Sequence, residues 1–230
     1  MKIAFLGDSI TEGALGVSYV DILKTHFSKN DLTNYGKGGD TISSLQKRIR
    51  KIEDLADYDT IILFVGVNDL FGKLTNGYKF IKLLMKQPWA KKQSEFTKQY
   101  KSTIEYLLNK TNNLIIIPPL LIGEEVNNKW NIQLDGYVAS VKALSSSYSS
   151  VTYIDVRKEY IDYLSKKDIS NYMPYKVSDL MKDVKELKSD RDVDERSKSR
   201  GLHLTLDGVH INSKGAQIIV DGIIKVLKNK

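Results

Sequence analysis

Five short apolar segments alternate along this chain with longer segments of helical periodicity, and this alternation constrains the fold more than any other feature. The short segments cover residues 3–6, 32–35, 60–65, 114–117 and 151–156, and their apolar or β-branched side chains suit buried parallel strands. Alternating strands and helices indicate a parallel sheet covered by helices on both faces. The sequence therefore predicts an α/β fold, a three-layer α/β/α sandwich around a central, mostly parallel five-stranded sheet.

The length of the chain predicts one domain with two additional segments. The 230 residues, 41% of them hydrophobic, are enough for a single core, and we expect one domain over residues 1–230. The additional segments, which we call the first and second excursions, cover about 70–93 and 165–201. Both depart from a minimal alternation of strands and helices.

Charge and composition exclude several classes of protein. The chain has 35 basic and 28 acidic residues, a net charge of +7, and the basic residues are spread along it. No basic and aromatic motif is concentrated in one element, so we expect no nucleic-acid partner. The chain has no cysteine for a disulfide or thiolate site. No signal-peptide pattern or run of 18 apolar residues is present, so we expect a cytoplasmic protein without stable membrane insertion.

The first predicted strand ends in Gly7-Asp8-Ser9-Ile10-Thr11, which places Ser9 at the carboxyl edge of the sheet. Ligands of open α/β sheets bind at this edge. Three interpretations of Ser9 are open on the residues alone: a helix cap, part of a phosphate or flavin site, or a nucleophile. The last requires a base and an oxyanion hole from elsewhere in the chain.

The next two strand ends carry groups that can donate hydrogen bonds to an oxyanion. Gly38 and Gly39 precede a predicted helix, where a free backbone N–H is well placed to meet negative charge. Asn68, in Gly66-Val67-Asn68-Asp69, has an amide that donates without carrying charge. Each segment alone is equally consistent with ordinary loop and turn chemistry.

An Asp-x-x-His pair, Asp207 and His210, precedes the last predicted helix. A carboxylate three residues before an imidazole can hold one ring nitrogen and leave the other free as a base. A metal site is the weaker interpretation, because the chain has three histidines and no His-Glu-x-x-His spacing. His203 has no carboxylate three residues before it, so we assign it to structure or pocket lining.

Taken together, these blocks resemble the GDSL, or SGNH, hydrolase superfamily. The resemblance rests on Gly7-Asp8-Ser9-Ile10-Thr11, on Gly39, on Gly66-Val67-Asn68-Asp69 and on Asp207-Gly208-Val209-His210, in the family's order and across nearly the whole chain. It implies a flavodoxin-like SGNH hydrolase fold. The ordinary α/β-hydrolase fold is disfavoured, because the chain has no Gly-x-Ser-x-Gly motif.

The resemblance also implies roles for individual residues. Ser9 matches the nucleophile, His210 the general base and acid, and Asp207 the residue that orients the imidazole. The backbone N–H groups of Ser9 and Gly39 and the side-chain amide of Asn68 match the family's oxyanion hole. No cofactor and no metal are implied, and we interpret Asp8 as structural.

The implied activity is hydrolysis of carboxylic esters through an acyl-enzyme. We expect small acyl esters such as acetylated carbohydrates, because the loops read as polar and rich in lysine rather than as a long apolar wall. A lysophospholipase or thioesterase is the alternative, and a non-catalytic flavodoxin-like or carbohydrate-binding module is a more distant one. The expected partner is a small-molecule or carbohydrate ester, and a homo-oligomer is an open alternative.

The two excursions have separate predictions. We expect the first to be a long loop whose aromatic residues can wall a pocket. In the second, apolar spacing predicts one amphipathic helix over 177–187, and the mixed charges of 188–200 predict a solvated segment. This excursion suits a lid, an oligomer contact or a linker without a catalytic role.

Overall fold

The central element of the computed structural model, which describes residues 1–228, is one five-stranded parallel sheet. Its strand order is β2-β1-β3-β4-β5, and every neighbouring pair is parallel. This confirms the predicted fold class. The strands are β1 (Lys2–Gly7), β2 (Asp31–Gly36), β3 (Thr60–Phe64), β4 (Leu114–Ile117) and β5 (Val151–Tyr153).

Helices cover the sheet in two groups. Helix α6 contacts both α3 and α7, and α11 contacts both α2 and α8. Within residues 1–228, none of the helices is both long and apolar enough to cross a lipid bilayer. The helices are α1 (Ser9–Glu12), α2 (Tyr19–His26), α3 (Ile42–Ile49), α4 (Asn68–Phe71), α5 (Asn76–Leu84), α6 (Gln93–Leu108), α7 (Lys129–Ser145), α8 (Val156–Leu164), α9 (Val177–Glu186), α10 (Asp190–Ser199) and α11 (Ser213–Lys228).

The core lies on both faces of the three inner strands. Side chains 3–6 of β1, 61–63 of β3 and 114–117 of β4 are fully buried. Strands covered by helices on both faces need apolar residues at successive positions, which explains their continuous apolar runs. The edge strand β2 is only half-buried, so it tolerates polar residues such as Thr33 and Asn34.

The last strand is shorter than the predicted segment 151–156. Strand β5 ends at Tyr153, and α8 begins at Val156. Asp155 is the N-cap of this helix, and its side chain accepts a hydrogen bond from the backbone N–H of Lys158. A capping aspartate therefore ends the strand within an otherwise apolar run.

Both excursions contain more helix than the sequence predicts. The first includes α5, which Thr75 caps by accepting from the backbone N–H of Tyr78. In the second, α9 confirms the predicted amphipathic helix. The segment 188–200, predicted to be solvated, forms α10 over most of its length, and within it only Val193 and Ser197 are buried.

Helix α10 is ordered by pairing of its charges. Ser189 and Asp192 form a capping box at its start. Arg196 and Arg200 both bond the fully buried carboxylate of Asp183 on α9, at nitrogen–oxygen distances of 2.9 and 2.7 Å. These arginines are therefore partly buried, which a composition of mixed charges does not reveal.

Candidate active site

Ser9 lies where β1 turns sharply into the short helix α1. A Cβ atom on Gly7 would lie 2.0 Å from the hydroxyl oxygen of Thr11 and 2.5 Å from the carbonyl oxygen of Phe64, so only glycine fits there. Asp8 caps α1, and its Oδ1 accepts from the backbone N–H of Ile10 at 3.1 Å. This turn presents Ser9 at the carboxyl edge of the sheet, as predicted from the strand end.

Ser9, His210 and Asp207 form a continuous chain of hydrogen bonds. His210 Nε2 lies 3.0 Å from Ser9 Oγ, and His210 Nδ1 lies 2.8 Å from Asp207 Oδ2. Asp207 Oδ1 accepts from the backbone N–H groups of Val209 and His210 at 3.0 and 2.8 Å. An imidazole held in this way can accept the proton of the serine hydroxyl and later return it.

The pKa values of His210 and Asp207 suit the transfer of a proton from Ser9. Burial would lower the pKa of His210, but the adjacent carboxylate of Asp207 outweighs burial and raises that pKa above its ordinary value of 6.5. Burial would raise the pKa of Asp207, but His210 and two backbone N–H groups outweigh it and hold that pKa below 3.8. Asp207 therefore stays ionised and stabilises the protonated imidazole.

A tight loop between Thr205 and Ile211 carries Asp207 and His210. The two ends of the loop form an isolated antiparallel bridge, and the backbone N–H of Leu206 donates to the carbonyl of His210 at 2.7 Å. Gly208 adopts a φ of +93° at the turn, and its carbonyl accepts from the backbone N–H of Gly123 at 2.8 Å. The loop is thus fixed to the segment that follows β4.

Glu124 anchors the approach to this loop, and the sequence interpretation missed it. Its Oε1 accepts from the backbone N–H groups of Leu204 and Thr205, both at 2.8 Å, and from the Thr205 hydroxyl at 2.7 Å. Its Oε2 accepts from the backbone N–H of His203 at 2.8 Å. Glu124 is fully buried. Its only sequence signal is an acidic residue that follows Gly123, seven positions after the end of β4.

His203 takes no part in the hydrogen bonds that link Ser9, His210 and Asp207. Its ring Nε2 bonds the carbonyl of Asp168 at 2.8 Å, and its backbone bonds Glu124. Among residues 1–228, no group of three or more His, Asp or Glu side chains is arranged to hold a metal ion.

Gly39 and Asn68 line the same cleft as Ser9 and His210. Gly39 has a φ of +74°, which favours glycine. Asn68 is the first residue of α4, and its Nδ2 is buried without a hydrogen-bond partner in the described part of the chain. A buried amide donor without a partner is costly, and a ligand in the cleft would satisfy it.

Asp69 links the connection that follows β3 to the loop that follows β2. Its carboxylate accepts from the backbone N–H of Ile42 at 2.9 Å, at the start of α3, and from that of Ala90 at 3.3 Å, in the first excursion. Burial raises the pKa of Asp69 to about 6, although both N–H groups oppose this shift. Asp69 therefore holds the loops that carry Gly39 and Asn68 in register.

The cleft has a volume of about 400 Å³ and one largely apolar wall. We expected polar, lysine-rich walls, and for this side of the cleft that expectation is wrong. Apolar residues from α5 and α9 line this wall, whereas most lysines of these two helices face solvent. The wall includes Leu15, Tyr78, Ile81, Leu180, Val184 and Val209.

Comparisons with known proteins identify the family and the fold of this protein. The model of the GDSL-like Lipase/Acylhydrolase family matches residues 5–218. No match was found among the curated proteins.

Among solved structures, an acetyl xylan esterase named AlAXEase has a TM-score of 0.70 and 22% identity, covering 99% of this chain and 100% of that one. The α/β hydrolase LAE5 from the metagenome of Lake Arreo, Spain, has a TM-score of 0.67 and 19% identity, covering 99% of this chain and 94% of that one. A catalytic mutant of an acetylxylan esterase from Geobacillus stearothermophilus has a TM-score of 0.66 and 17% identity, covering 97% of this chain and 92% of that one. At these identities the likeness establishes a shared fold.

Proposed function

The chain belongs to the GDSL-like lipase/acylhydrolase family, and we propose that it hydrolyses carboxylic esters by two-step acyl transfer through Ser9, His210 and Asp207. One observation carries the proposal: the hydrogen bonds that link Asp207 to His210 at 2.8 Å and His210 to Ser9 at 3.0 Å. A buried carboxylate, an imidazole and a hydroxyl in this order are the groups that activate a serine nucleophile.

In the first step, Ser9 Oγ attacks the ester carbonyl while His210 Nε2 takes its proton. The tetrahedral intermediate collapses as the alcohol leaves with that proton, and the acyl group stays on Ser9. In the second step, His210 takes a proton from water, which attacks the acyl-enzyme and releases the acid. His210 must be neutral to begin either step, so activity should rise as the pH passes its raised pKa.

The oxyanion is stabilised by three donors: the backbone N–H groups of Ser9 and Gly39 and the side-chain amide of Asn68. The unpartnered Nδ2 of Asn68 supports this assignment, because it lines the cleft that also contains Ser9 and His210. Donors fixed before the reaction need no reorganisation as negative charge develops.

Small acyl esters, such as acetylated carbohydrates, are the first candidate substrates. Two structural neighbours described as acetyl xylan esterases favour this candidate. The apolar wall of the cleft favours a second candidate, a lipolytic enzyme of the lysophospholipase or thioesterase type. Each methylene buried against such a wall contributes about 0.8 kcal/mol, or roughly a four-fold rise in kcat/KM.

Hydrolysis of p-nitrophenyl esters from acetyl to palmitoyl tests the proposal. The wild type is compared with Ser9→Ala and with a control, Ser28→Ala, which removes an exposed serine. We expect the control to match the wild type and Ser9→Ala to lose turnover by at least about 10³-fold. Full turnover by Ser9→Ala would contradict the proposal. A rate that falls beyond acetyl selects the first candidate, and one that rises with chain length selects the second.

A further inference from the structure

Lys82, on helix α5 of the first excursion, is buried against the proposed oxyanion hole. Its side chain is only 4% exposed, which is unusual for a lysine. Its Nζ donates to the carbonyl oxygen of Gly39 at 2.9 Å and to Oδ1 of Asn68 at 3.4 Å. One ammonium group therefore contacts two of the three residues that supply the donors.

The ammonium determines which way the amide of Asn68 faces. A lysine ammonium can only donate hydrogen bonds, so it selects the oxygen of the amide. Nδ2 then lies on the other side of the amide, where it has no partner among the described residues. Rotating the amide by half a turn would place its N–H groups against a positive charge.

The loop that carries Gly39 is held from the same excursion. Gln87 Nε2 donates to the carbonyl oxygen of Gly38 at 2.8 Å, while Lys82 bonds that of Gly39. In a trans peptide the N–H points opposite the carbonyl oxygen, so the bond from Gln87 also fixes the N–H of Gly39. Residues on both sides of this donor are thus held by α5 and the loop after it.

On the basis of the proposed function, we propose that Lys82 is a positioning residue of the oxyanion hole, which orients the amide of Asn68 and the backbone at Gly39 and places a positive charge behind both donors. The first excursion thereby positions the donors that stabilise the oxyanion, in addition to forming a wall of the cleft.

The surroundings of Lys82 make its charge sensitive to alkaline pH. Burial lowers its pKa from 10.5 to about 8, although three carboxylates, from Asp69, Asp8 and Asp40, oppose this shift. Above pH 8 the ammonium loses its proton, and its bonds to the two oxygens weaken. Other ionisable groups that line the cleft are Glu12, Lys37, Tyr78 and His210.

Three variants test the proposal kinetically: Lys82→Met, Lys82→Arg and a control on the same helix, Lys79→Met, whose side chain is exposed. We expect Lys82→Met to lower kcat at least about ten-fold with KM changed less than three-fold, since removing a whole oxyanion donor costs about 10² to 10³-fold. The control should match the wild type. Thermal melts followed by circular dichroism establish that each variant is folded.

The pH profile and a double mutant separate positioning from a general structural role. Wild-type kcat should fall as the pH rises through about 8, and Lys82→Arg should recover activity and lose this decline, because arginine does not titrate there. In an Asn68→Ala background, Lys82→Met should cost less than about three-fold. An equal cost in both backgrounds, or an unchanged alkaline limb in Lys82→Arg, would overturn the proposal.

A measurement without turnover distinguishes failure of this proposal from failure of the proposed function. In ¹⁵N NMR spectra of the full chain, the side-chain amide signals of Asn68 should shift with a midpoint near pH 8 in the wild type. They should not do so in Lys82→Arg. If these signals are insensitive to pH in both proteins, Lys82 does not position Asn68, whatever the enzyme hydrolyses. If they titrate but no ester is turned over, the positioning stands and the proposed function falls.

Discussion

Removing the carboxylate of Glu124 should destabilise the protein strongly, because four donors converge on it. Three of its hydrogen bonds, from the backbone N–H groups of Leu204 and Thr205 and from the Thr205 hydroxyl, lie in the buried interior. A buried donor left without a partner costs about 1 to 3 kcal/mol. Glu124→Ala should therefore lower the free energy of unfolding by at least about 3 kcal/mol, a large part of the 5 to 15 kcal/mol typical of a domain.

Glu124→Gln gives a graded comparison. Its amide oxygen can still accept the three buried bonds, but its NH₂ group meets the backbone N–H of His203, which now bonds Oε2. We expect a loss of about 1 to 3 kcal/mol, between those of the wild type and the alanine variant.

Urea unfolding followed by circular dichroism measures these differences. Glu125→Ala is the matched control, because this neighbour is partly exposed and accepts one exposed hydrogen bond, from the backbone N–H of Asn127. The control should lose less than about 1 kcal/mol. If Glu124→Ala is no less stable than Glu125→Ala, Glu124 does not anchor the loop that carries Asp207 and His210.

Three further predictions concern the site and its surroundings. Asn68→Ala should lose about 3 to 4 kcal/mol of transition-state stabilisation with the fold intact, and an unchanged kcat would remove Asn68 from the mechanism. Burial raises the pKa of Asp8 to about 7, so its contribution to stability is fully present below pH 3.8 and is lost as the pH rises through 7. Asp8→Asn should therefore raise the melting temperature more at pH 8 than at pH 4, and equal differences at both would refute this. Asp183→Asn should lower the free energy of unfolding, measured by urea denaturation, by about 3 kcal/mol or more, because Arg196 and Arg200 lose their buried partner. A loss below about 1 kcal/mol would show that the packing of α10 on α9 does not depend on the ion pairs of Asp183 with the two arginines.

The sheet could be predicted from the sequence because its inner strands are buried on both faces. Strands such as β4, whose four residues are all fully buried, can contain only apolar side chains, and glycine, proline or polar residues end them sharply. The ends of β1, β2 and β3 also carry Ser9, Gly39 and Asn68, since parallel strands bring their carboxyl ends to one edge. His210 follows a helix rather than a strand, so its contact with Ser9 depends on the loop that Glu124 and Gly123 hold at this edge.

Apart from α9, the excursions could not be predicted, because residue type does not reveal which charges are buried. Lys82 and Arg200 read as solvated residues, yet the first lies among three carboxylates and the second bonds buried Asp183. The apolar wall was missed because the direction in which a helix face packs is not visible in the sequence. Leu180 and Val184 lie on a helix rich in charged residues, and only its packing shows that they face the cleft.

Covalent labelling tests most directly the central claim that Ser9 is the nucleophile. The folded protein is treated with a fluorophosphonate, which phosphorylates activated serine hydroxyls, and the adduct is located by peptide mass spectrometry. We predict one adduct, on Ser9, that is absent in Ser9→Ala and forms far more slowly in His210→Ala, where the base is missing. An adduct on another serine, or equal labelling of Ser9 without His210, would contradict the account.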